Sequence, residues 1–221
     1  MFRHVRCVLF DLDGTLIDSA LDLGLAADEM RVARGLPSLP AAAYRASAGS
    51  GARGMLAVAF GLSPQHDAFN ALREEFLDRY EQRITRLTRL FEDVEQLLST
   101  LNQRGVAWGV VTNKHRRFTL PLTTAMPIFG SAGAIVCGDT TPHSKPHPGP
   151  LLEAMRQLCV QARDCLYVGD DVRDMQAGRA AGVATVAASY GYLGPDADIA
   201  RWPADAVIDR PAELLKLIDL A

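Results

Sequence analysis

Short apolar runs alternate with longer stretches of helical spacing along most of the chain. The short runs are β-rich and too short for helices, and they predict buried strands at residues 5–10, 107–111, 134–137, 165–168 and 183–187. Helical apolar spacing predicts helices at residues 93–104, 148–158, 173–181 and 212–220. Strands that alternate with helices in this way predict an α/β fold with a doubly wound parallel sheet and right-handed crossovers.

One long segment interrupts this alternation. From the first predicted strand to Phe91 the chain has helical spacing and no convincing strand, which is far more than a crossover needs. We expect helices at residues 18–34 and 64–83, and two shorter ones within residues 41–60. The pattern predicts an α/β core of residues 1–18 and 88–221 and an inserted helical cap of residues 19–87 over the strand ends. Such a cap could exclude water and contact a substrate, and the alternative is a helical appendage unrelated to any site.

Length, composition and charge limit the classes of protein to which the chain can belong. The 221 residues can bury one core or a core with a small insert, and 48% hydrophobic with 22% charged residues argues against global disorder. A net charge of -3 gives no reason to expect nucleic acid or a membrane as partner. No run approaches the roughly 18 apolar residues of a spanning helix, and no signal peptide precedes the first strand. We therefore expect a cytoplasmic protein, either a monomer or a homodimer.

Two aspartates follow the first predicted strand directly. Asp11 and Asp13 lie two positions apart where the apolar run ends. Open α/β sheets bind ligands at the carboxyl ends of their strands, and two carboxylates this close are costly unless a cation compensates them. The pair predicts a divalent metal and a carboxylate that acts as nucleophile or in acid–base catalysis.

Two further strand ends carry polar groups. Thr112 and Asn113 follow the second strand of the core, where a hydroxyl, an amide and the N–H groups of the next helix suit a phosphate. The alternative is that both residues are simple helix caps. Lys145 lies in a loop stiffened by Pro146 and Pro148. Its ammonium suits a phosphoryl group or a group of carboxylates, whereas an ordinary solvated lysine is the alternative.

A third strand end repeats the opening arrangement. Asp170, Asp171 and Asp174 follow the apolar run of residues 165–168, and helix capping does not require three aspartates within five residues. Together with Asp11 and Asp13, these carboxylates could converge on one edge of the sheet. Mg²⁺ is the expected ion there, because it accepts a few carboxylates, keeps waters and contacts phosphate.

Four polar motifs follow one another in chain order. They are Asp11-Leu12-Asp13-Gly14-Thr15, Thr112-Asn113, Lys145-Pro146, and Gly169-Asp170-Asp171 with Asp174. Each is modest alone, but the ordered set is specific, and it resembles the motifs of the haloacid dehalogenase-like (HAD) phosphatase superfamily over essentially the whole chain. The resemblance implies a Rossmann-like core with a helical cap inserted after the first motif.

Further stretches narrow the resemblance. The chain is similar to the phosphoglycolate phosphatase group in residues 110–114, residues 145–150 and Tyr190-Gly191-Tyr192. It is similar, more narrowly, to bacterial N-acetylmuramic acid 6-phosphate phosphatases in Arg34-Gly35-Leu36-Pro37, Ser50-Gly51-Ala52-Arg53, residues 108–114 and the region of Phe118. The resemblance implies a phosphatase of a small phosphorylated metabolite, either 2-phosphoglycolate or N-acetylmuramic acid 6-phosphate.

The resemblance also implies roles for individual residues. Asp11 would be the nucleophile that forms an aspartyl-phosphate, and Asp13 would act as acid and base. Mg²⁺ would be held by the Asp11 carboxylate, the Asp13 main-chain carbonyl and Asp170. The phosphate would be bound by Gly14, Thr15, Thr112, Asn113 and Lys145. Asp171 and Asp174 would lie next to the metal ligands without binding the metal themselves.

Within the cap, the turn that contains Ser50, Gly51 and Arg53 is the expected specificity element. Glycine lets backbone approach a ligand, and Arg53 could pair with a substrate carboxylate. Both candidate metabolites carry a carboxylate, so Arg53 favours neither. The alternative is a plain turn between helices with a solvated arginine.

Other functions on the same fold remain open. A phosphosugar mutase could use the same two aspartates and a similar cap. A non-catalytic binding module would be expected to lack Asp11, Asp13, Lys145 or Asp170, yet all four are present. A dehalogenase is disfavoured, because a leaving halide needs no proton and Asp13 would be idle.

Overall fold

A six-stranded parallel sheet forms the centre of the computed structural model, which describes residues 1–194 and 196–219. The strands of the described residues are β1 (Cys7–Phe10), β2 (Ile17–Asp18), β3 (Arg89–Leu90), β4 (Ala107–Val111), β5 (Ala134–Val136), β6 (Cys165–Gly169), β7 (Ala184–Ala188) and β8 (Ala206–Ile208). The sheet has the order β5-β4-β1-β6-β7-β8, and every neighbouring pair in it is parallel. The predicted α/β fold is confirmed.

Helices cover both faces of this sheet and also form a separate bundle. They are α1 (Ala20–Val32), α2 (Ala42–Arg45), α3 (Gly51–Phe60), α4 (Phe69–Glu81), α5 (Val94–Gln103), α6 (Arg116–Ala125), α7 (Gly149–Leu158), α8 (Val172–Ala181) and α9 (Leu214–Leu217). Val8 and Phe10 of β1 pack into one hydrophobic core with α5, while Cys7 and Leu9 pack into a second core with α7 and α8. Because alternate side chains of β1 are buried on opposite faces, the strand is a continuous apolar run.

The position of β1 brings the polar strand ends together. β1 lies between β4 and β6, and Phe10 is in register with Val110 on one side and with Val168 on the other. Asp11, Thr112 and Asp170 therefore follow three adjacent strands at the same edge. The order of strands reverses around β1, which is the position where open α/β sheets bind ligands.

Helices α1 to α4 form a bundle between β2 and β3. Its core contains Met30, Tyr44, Met55 and Phe76, all of them fully or almost fully buried. β2 and β3 pair antiparallel at the two ends of the bundle, which the sequence did not predict, because strands of two residues show no alternation. The division of the chain into a core and a cap of residues 19–87 stays a prediction.

Several predicted boundaries were wrong. The helix expected at residues 64–83 begins at Phe69. In place of a single helix at residues 212–220, the described residues form a 3₁₀ turn, Pro211–Glu213, followed by the short α9. Leu220, the last residue of that expected helix, lies outside the described residues. Neither β8 nor the bounds of α6 had been predicted. Among the described residues, the helices are all too short or too polar to cross a membrane.

Candidate active site

Lys145 lies at the centre of the polar strand ends and is buried. Its Nζ donates to Asp11 Oδ1 at 2.7 Å, to the Val111 carbonyl at 2.9 Å and to the Tyr167 hydroxyl at 2.8 Å. It also forms an ion pair with Asp174 Oδ1 at 2.8 Å. Burial opposes the charge of this ammonium, but the adjacent carboxylates outweigh that effect and raise the pKa of Lys145. The loop lysine is therefore a fixed charge among carboxylates.

Three carboxylates converge beside this lysine. Oxygens of Asp11, Asp170 and Asp174 lie within 4.8 Å of one another. Burial raises the pKa of Asp11 to about 7, with Asp174 adding to the effect and Lys145 opposing it. Burial, followed by the charges of Asp11 and Asp174, also raises the pKa of Asp170 well above its usual range. Because one ammonium faces three buried carboxylates, the cluster is suited to a divalent cation.

The carboxylates of the cluster differ in their hydrogen-bond partners. Asp174 accepts from Lys145 and the Tyr167 hydroxyl through Oδ1 and from the Asp171 N–H through Oδ2. Asp170 accepts from the Thr15 hydroxyl at 3.3 Å and from the Tyr192 N–H at 2.7 Å. Because Asp174 pairs with the Lys145 ammonium, whereas Asp170 accepts only from two neutral donors among the described residues, Asp174 is suited to orienting Lys145 and Asp170 to binding a cation.

Asp13 lies apart from the cluster and faces the bundle of α1 to α4. Lys114 Nζ donates to its two carboxylate oxygens at 3.0 and 3.1 Å, and the Ser19 hydroxyl donates to Oδ1. Lys114 was not predicted as a site residue. Its position directly after Thr112-Asn113 at the end of β4 was the one available signal.

Gly14 and Thr15 pack against the carboxylate of Asp170. Gly14 has a φ of +89°, and a Cβ at this position would lie 2.1 Å from Asp170 Oδ2. Thr15 is fully buried with its hydroxyl directed at Asp170. The structure thus brings both residues to a candidate metal ligand, and neither lines the cavity described below. Their role in phosphate binding stays a prediction.

Thr112 and Asn113 organise the next strand end. Asn113 Nδ2 donates to the Lys145 carbonyl at 2.9 Å, and Asn113 Oδ1 accepts from the Lys145 N–H at 2.9 Å. The Thr112 hydroxyl accepts from the Lys114 N–H at 3.1 Å, and Thr112 lines the cavity. The Asn113 side chain is therefore engaged with the lysine loop, and a contact of either residue with phosphate stays a prediction.

Asp171 faces the start of α8. Its side chain accepts from the Arg173 N–H at 2.8 Å and forms a two-point ion pair with the Arg173 guanidinium. This pairing lowers the pKa of Asp171 against the opposing effect of burial. Arg173 also donates to the Gly49 carbonyl at 2.9 Å, so it links this strand end to the turn before α3.

Tyr192 connects Asp170 to the first helix of the bundle. Its N–H donates to Asp170, and its hydroxyl accepts from the N–H groups of Ser19 at 2.7 Å and Ala20 at 3.0 Å. N–H groups at the beginning of a helix have no partner within the helix, and here the Tyr192 hydroxyl accepts from two of them, with Ala20 also donating to Asp18 Oδ1 at 3.3 Å. Tyr167 and Tyr192 both lie in or near apolar strands, so their sequence context indicated only core packing.

Two connected cavities open above the cluster. The inner cavity has a volume of about 250 Å³ and is lined by Asp11, Asp13, Lys145 and Asp170 among others. The outer cavity, of about 540 Å³, lies between the helical bundle and α6. Ser50 and Gly51 line both cavities, as do Leu23, Asn113 and Lys114. Arg53 is exposed and lines only the outer cavity.

Comparison with known proteins identifies relatives of the chain. Residues 8–188 match the model of the family described as haloacid dehalogenase-like hydrolase. The chain is 42% identical over 218 residues to an N-acetylmuramic acid 6-phosphate phosphatase of Pseudomonas aeruginosa, covering 99% of this chain and 96% of the relative. It is 43% identical over 212 residues to a phosphoglycolate phosphatase of Xanthomonas campestris, covering 96% of each chain.

A solved structure shares both fold and sequence with this chain. The crystal structure of a predicted phosphoglycolate phosphatase from Haemophilus somnus superposes with a TM-score of 0.84 at 28% identity. The superposition covers 97% of this chain and 98% of that one. The likeness therefore extends over the sheet, the flanking helices and the bundle of α1 to α4.

Proposed function

The chain belongs to the haloacid dehalogenase-like hydrolase family, and we propose that it is a Mg²⁺-dependent phosphomonoester hydrolase that works through an aspartyl-phosphate. The observation that carries the proposal is the position of Asp11. Its carboxylate lines the inner cavity and accepts a hydrogen bond from Lys145, and Asp13 lines the same cavity. A nucleophile and an acid–base group thus face one space that suits a phosphoryl group.

The reaction follows from this arrangement. A carboxylate oxygen of Asp11 attacks phosphorus, the bond between phosphorus and the leaving oxygen breaks, and Asp13 gives its proton to that oxygen. Asp13 then takes a proton from the water that attacks the aspartyl-phosphate and releases inorganic phosphate. Lys145 fixes Asp11 by a 2.7 Å hydrogen bond, and its charge favours the phosphoryl oxygens.

The donor set fits a magnesium ion. Asp11 and Asp170 present buried carboxylates, and the Asp13 main-chain carbonyl follows on the same strand end. These groups would hold Mg²⁺, which offsets the repulsion between the carboxylate nucleophile and the phosphoryl oxygens. Burial, with neighbouring carboxylates adding to it, raises the pKa values of Asp11 and Asp170, and such perturbed carboxyl groups are typical of functional sites.

The outer cavity favours the larger of the two candidate substrates. 2-Phosphoglycolate has only a short acid beyond its phosphate, and it would leave most of the space of about 540 Å³ unfilled. The walls combine the aromatic residues Phe69 and Phe118 with the cationic Arg53. Walls that combine aromatic side chains with an arginine that forms no ion pair among the described residues suit a sugar ring that carries a carboxylate. We therefore propose N-acetylmuramic acid 6-phosphate as the better substrate, with 2-phosphoglycolate as the alternative.

Replacement of the nucleophile tests the hydrolase proposal. Asp11→Asn is expected to abolish both Mg²⁺-dependent phosphate release and the trapped phosphoenzyme, while thermal unfolding stays cooperative. Asp171→Asn serves as a control at another carboxylate of the inner cavity, one that is paired with Arg173, and it is expected to retain phosphoenzyme formation. Substantial Mg²⁺-dependent turnover by Asp11→Asn would contradict the mechanism. An isomeric sugar phosphate as product would indicate a mutase, and no turnover of p-nitrophenyl phosphate by the wild type would indicate a binding module.

Replacement of Arg53 tests the proposed substrate contact. In the described residues Arg53 forms no ion pair, whereas Arg73, another cation of the outer cavity, is paired with Glu74 at 2.9 Å. Arg53→Gln is expected to raise KM for N-acetylmuramic acid 6-phosphate about tenfold or more, the loss of one charge-assisted contact. Arg73→Gln is the matched control and should raise KM much less. Equal increases of KM in the two variants would show that KM depends on the overall charge of the cavity and not on a contact with Arg53.

A further inference from the structure

Lys114 connects the two halves of the candidate site. It lies where the inner and outer cavities meet, and its Nζ donates to Asp13 Oδ1 and Oδ2. The same Nζ lies 4.8 Å from the ring centroid of Tyr80 in α4, within the range of a cation–π contact. Only 10% of the Lys114 side chain and 14% of the Asp13 side chain are exposed, so water screens the ion pair weakly.

The contacts of Asp13 distinguish its two oxygens. Oδ1 accepts from both the Ser19 hydroxyl and Lys114, whereas Oδ2 accepts, among the described residues, only from Lys114, at 3.1 Å. An oxygen that already accepts two hydrogen bonds has little capacity left for a proton. Oδ2 is therefore the atom that can carry and transfer the proton, and Lys114 sets the rotation of the carboxyl group that presents it.

Tyr80 fixes Lys114 from the side of the helical bundle. The Tyr80 ring stacks on Phe76 in the same helix, with centroids 6.2 Å apart, and lies 5.6 Å from the ring of Phe118 in α6. Its hydroxyl is buried and has no hydrogen-bond partner among the described residues. We therefore expect Tyr80 to hold Lys114 mainly through the cation–π contact of its ring.

We propose that Lys114 is a positioning residue for the acid–base aspartate, and that Tyr80 holds Lys114 in place when the helical bundle lies over the sheet edge. Lys114 orients Asp13 so that the proton on Oδ2 reaches the leaving oxygen as the bond between that oxygen and phosphorus breaks. The proposal rests on the phosphatase function proposed above. It predicts a defect that depends on how much the leaving group needs a proton.

Two classes of substrate distinguish a positioning role of Lys114 from a general structural role. N-acetylmuramic acid 6-phosphate and 2-phosphoglycolate release a poorly acidic alcohol, whereas p-nitrophenyl phosphate releases a phenolate that needs little protonation. For Lys114→Met we expect kcat/KM to fall about 100-fold on the alkyl phosphates and only a few-fold on p-nitrophenyl phosphate, within the usual range of general acid catalysis. kcat/KM reports the steps up to the first bond cleavage, so the later role of Asp13 as a base does not enter.

Variants at two other positions serve as controls. Arg34→Met removes another cation that contacts α4, through Glu75, outside both cavities and without touching Asp13. It is expected to change kcat/KM for both substrate classes by the same factor. Tyr80→Phe keeps the ring face and should behave as the wild type in the substrate ratio, whereas Tyr80→Leu removes the ring and should shift the ratio toward that of Lys114→Met.

The outcomes that contradict the proposal are distinct from failure of the hydrolase function. Equal losses on alkyl and p-nitrophenyl phosphates in Lys114→Met would overturn the positioning role, even with an active wild type. Because both substrates are measured on one preparation, partial unfolding of a variant cancels in their ratio. Absence of Asp11-dependent turnover in the wild type would instead overturn the proposed function itself.

Discussion

The side chain of Asn113 forms two hydrogen bonds with the backbone of Lys145, one to its carbonyl and one from its N–H, each 2.9 Å long. This contact joins the end of β4 to the loop before α7, which are far apart in sequence. It fixes the backbone from which the Lys145 ammonium reaches Asp11 and Asp174. The amide thus acts on the nucleophile through the lysine.

Asn113→Ala is expected to lower kcat by roughly tenfold to a hundredfold, because an ångström of misplacement in a reacting constellation costs about that much. The loss of two hydrogen bonds to a part-buried backbone should also lower the free energy of unfolding by about 1–3 kcal/mol. Steady-state kinetics and urea unfolding measure the two effects. Asn102→Ala, which removes an amide that binds Trp108 away from the cavity, is a control that should leave kcat unchanged.

Stability of the metal-free protein is expected to fall as pH rises from about 4 to above 7. Burial raises the pKa of Asp11 from 3.8 to about 7 and raises that of Asp170, so the folded state binds these protons more tightly than the unfolded chain. The resulting stabilisation is complete below the unfolded pKa and is lost as pH passes through the folded pKa. Urea unfolding in EDTA at about pH 5 and pH 8 measures the slope, which Asp170→Asn should flatten. An unchanged slope in that variant would contradict the assignment.

Asp170→Asn is expected to change apo stability and magnesium response in opposite directions. Removing one of three clustered carboxylates relieves repulsion, so the apo variant should unfold at a higher temperature than the wild type. Mg²⁺ at about 100 times its Kd should stabilise the wild type by about 2.7 kcal/mol, and the variant should lose this gain. Asp171→Asn, whose carboxylate faces Arg173, should keep it. A normal magnesium response in Asp170→Asn would exclude that residue as a ligand.

Gly14→Ala is expected to disrupt the metal site beyond its effect on the backbone. The left-handed conformation at φ +89° costs an L-residue roughly 1–2 kcal/mol, and the new Cβ would meet Asp170 Oδ2 at 2.1 Å. Gly35→Ala is a matched control, since Gly35 has φ +72° and no atom within 4 Å of an added Cβ. Both variants should lose similar backbone stability, but only Gly14→Ala should lose the thermal shift with Mg²⁺. Equal thermal shifts with Mg²⁺ in the two variants would show that the collision with Asp170 Oδ2 is relieved without disturbing the metal site.

Several features of the fold could be predicted from the sequence because they depend on residue type and spacing. β1 is a continuous apolar run, since both of its faces are buried, and this pattern identified the sheet. The convergence of Asp11, Thr112 and Asp170 could also be expected, because parallel strands bring their carboxyl ends to one edge. β2 and β3 escaped prediction, because two paired residues leave no periodic signal.

The missed site residues share a different cause. Tyr167 has the sequence context of a core residue, and it is fully buried, yet its hydroxyl reaches Lys145 and Asp174. The Tyr192 hydroxyl likewise accepts from the Ser19 N–H at the start of α1, although the two residues are 173 positions apart along the chain. Such contacts depend on the direction of a side chain and on the register between distant elements. Neither quantity is encoded in the local pattern.

The sequence by itself determined the α/β fold, the family and the set of polar residues at the strand ends, because hydrophobic periodicity and ordered motifs are local properties of the chain. Tertiary structure alone decided how those residues divide their contacts. It directed Asp174 to Lys145, Asp171 to Arg173 and Asp13 to Lys114. The physical reason is that carboxylates of identical chemistry are distinguished only by burial and by the donors that packing places within hydrogen-bond distance.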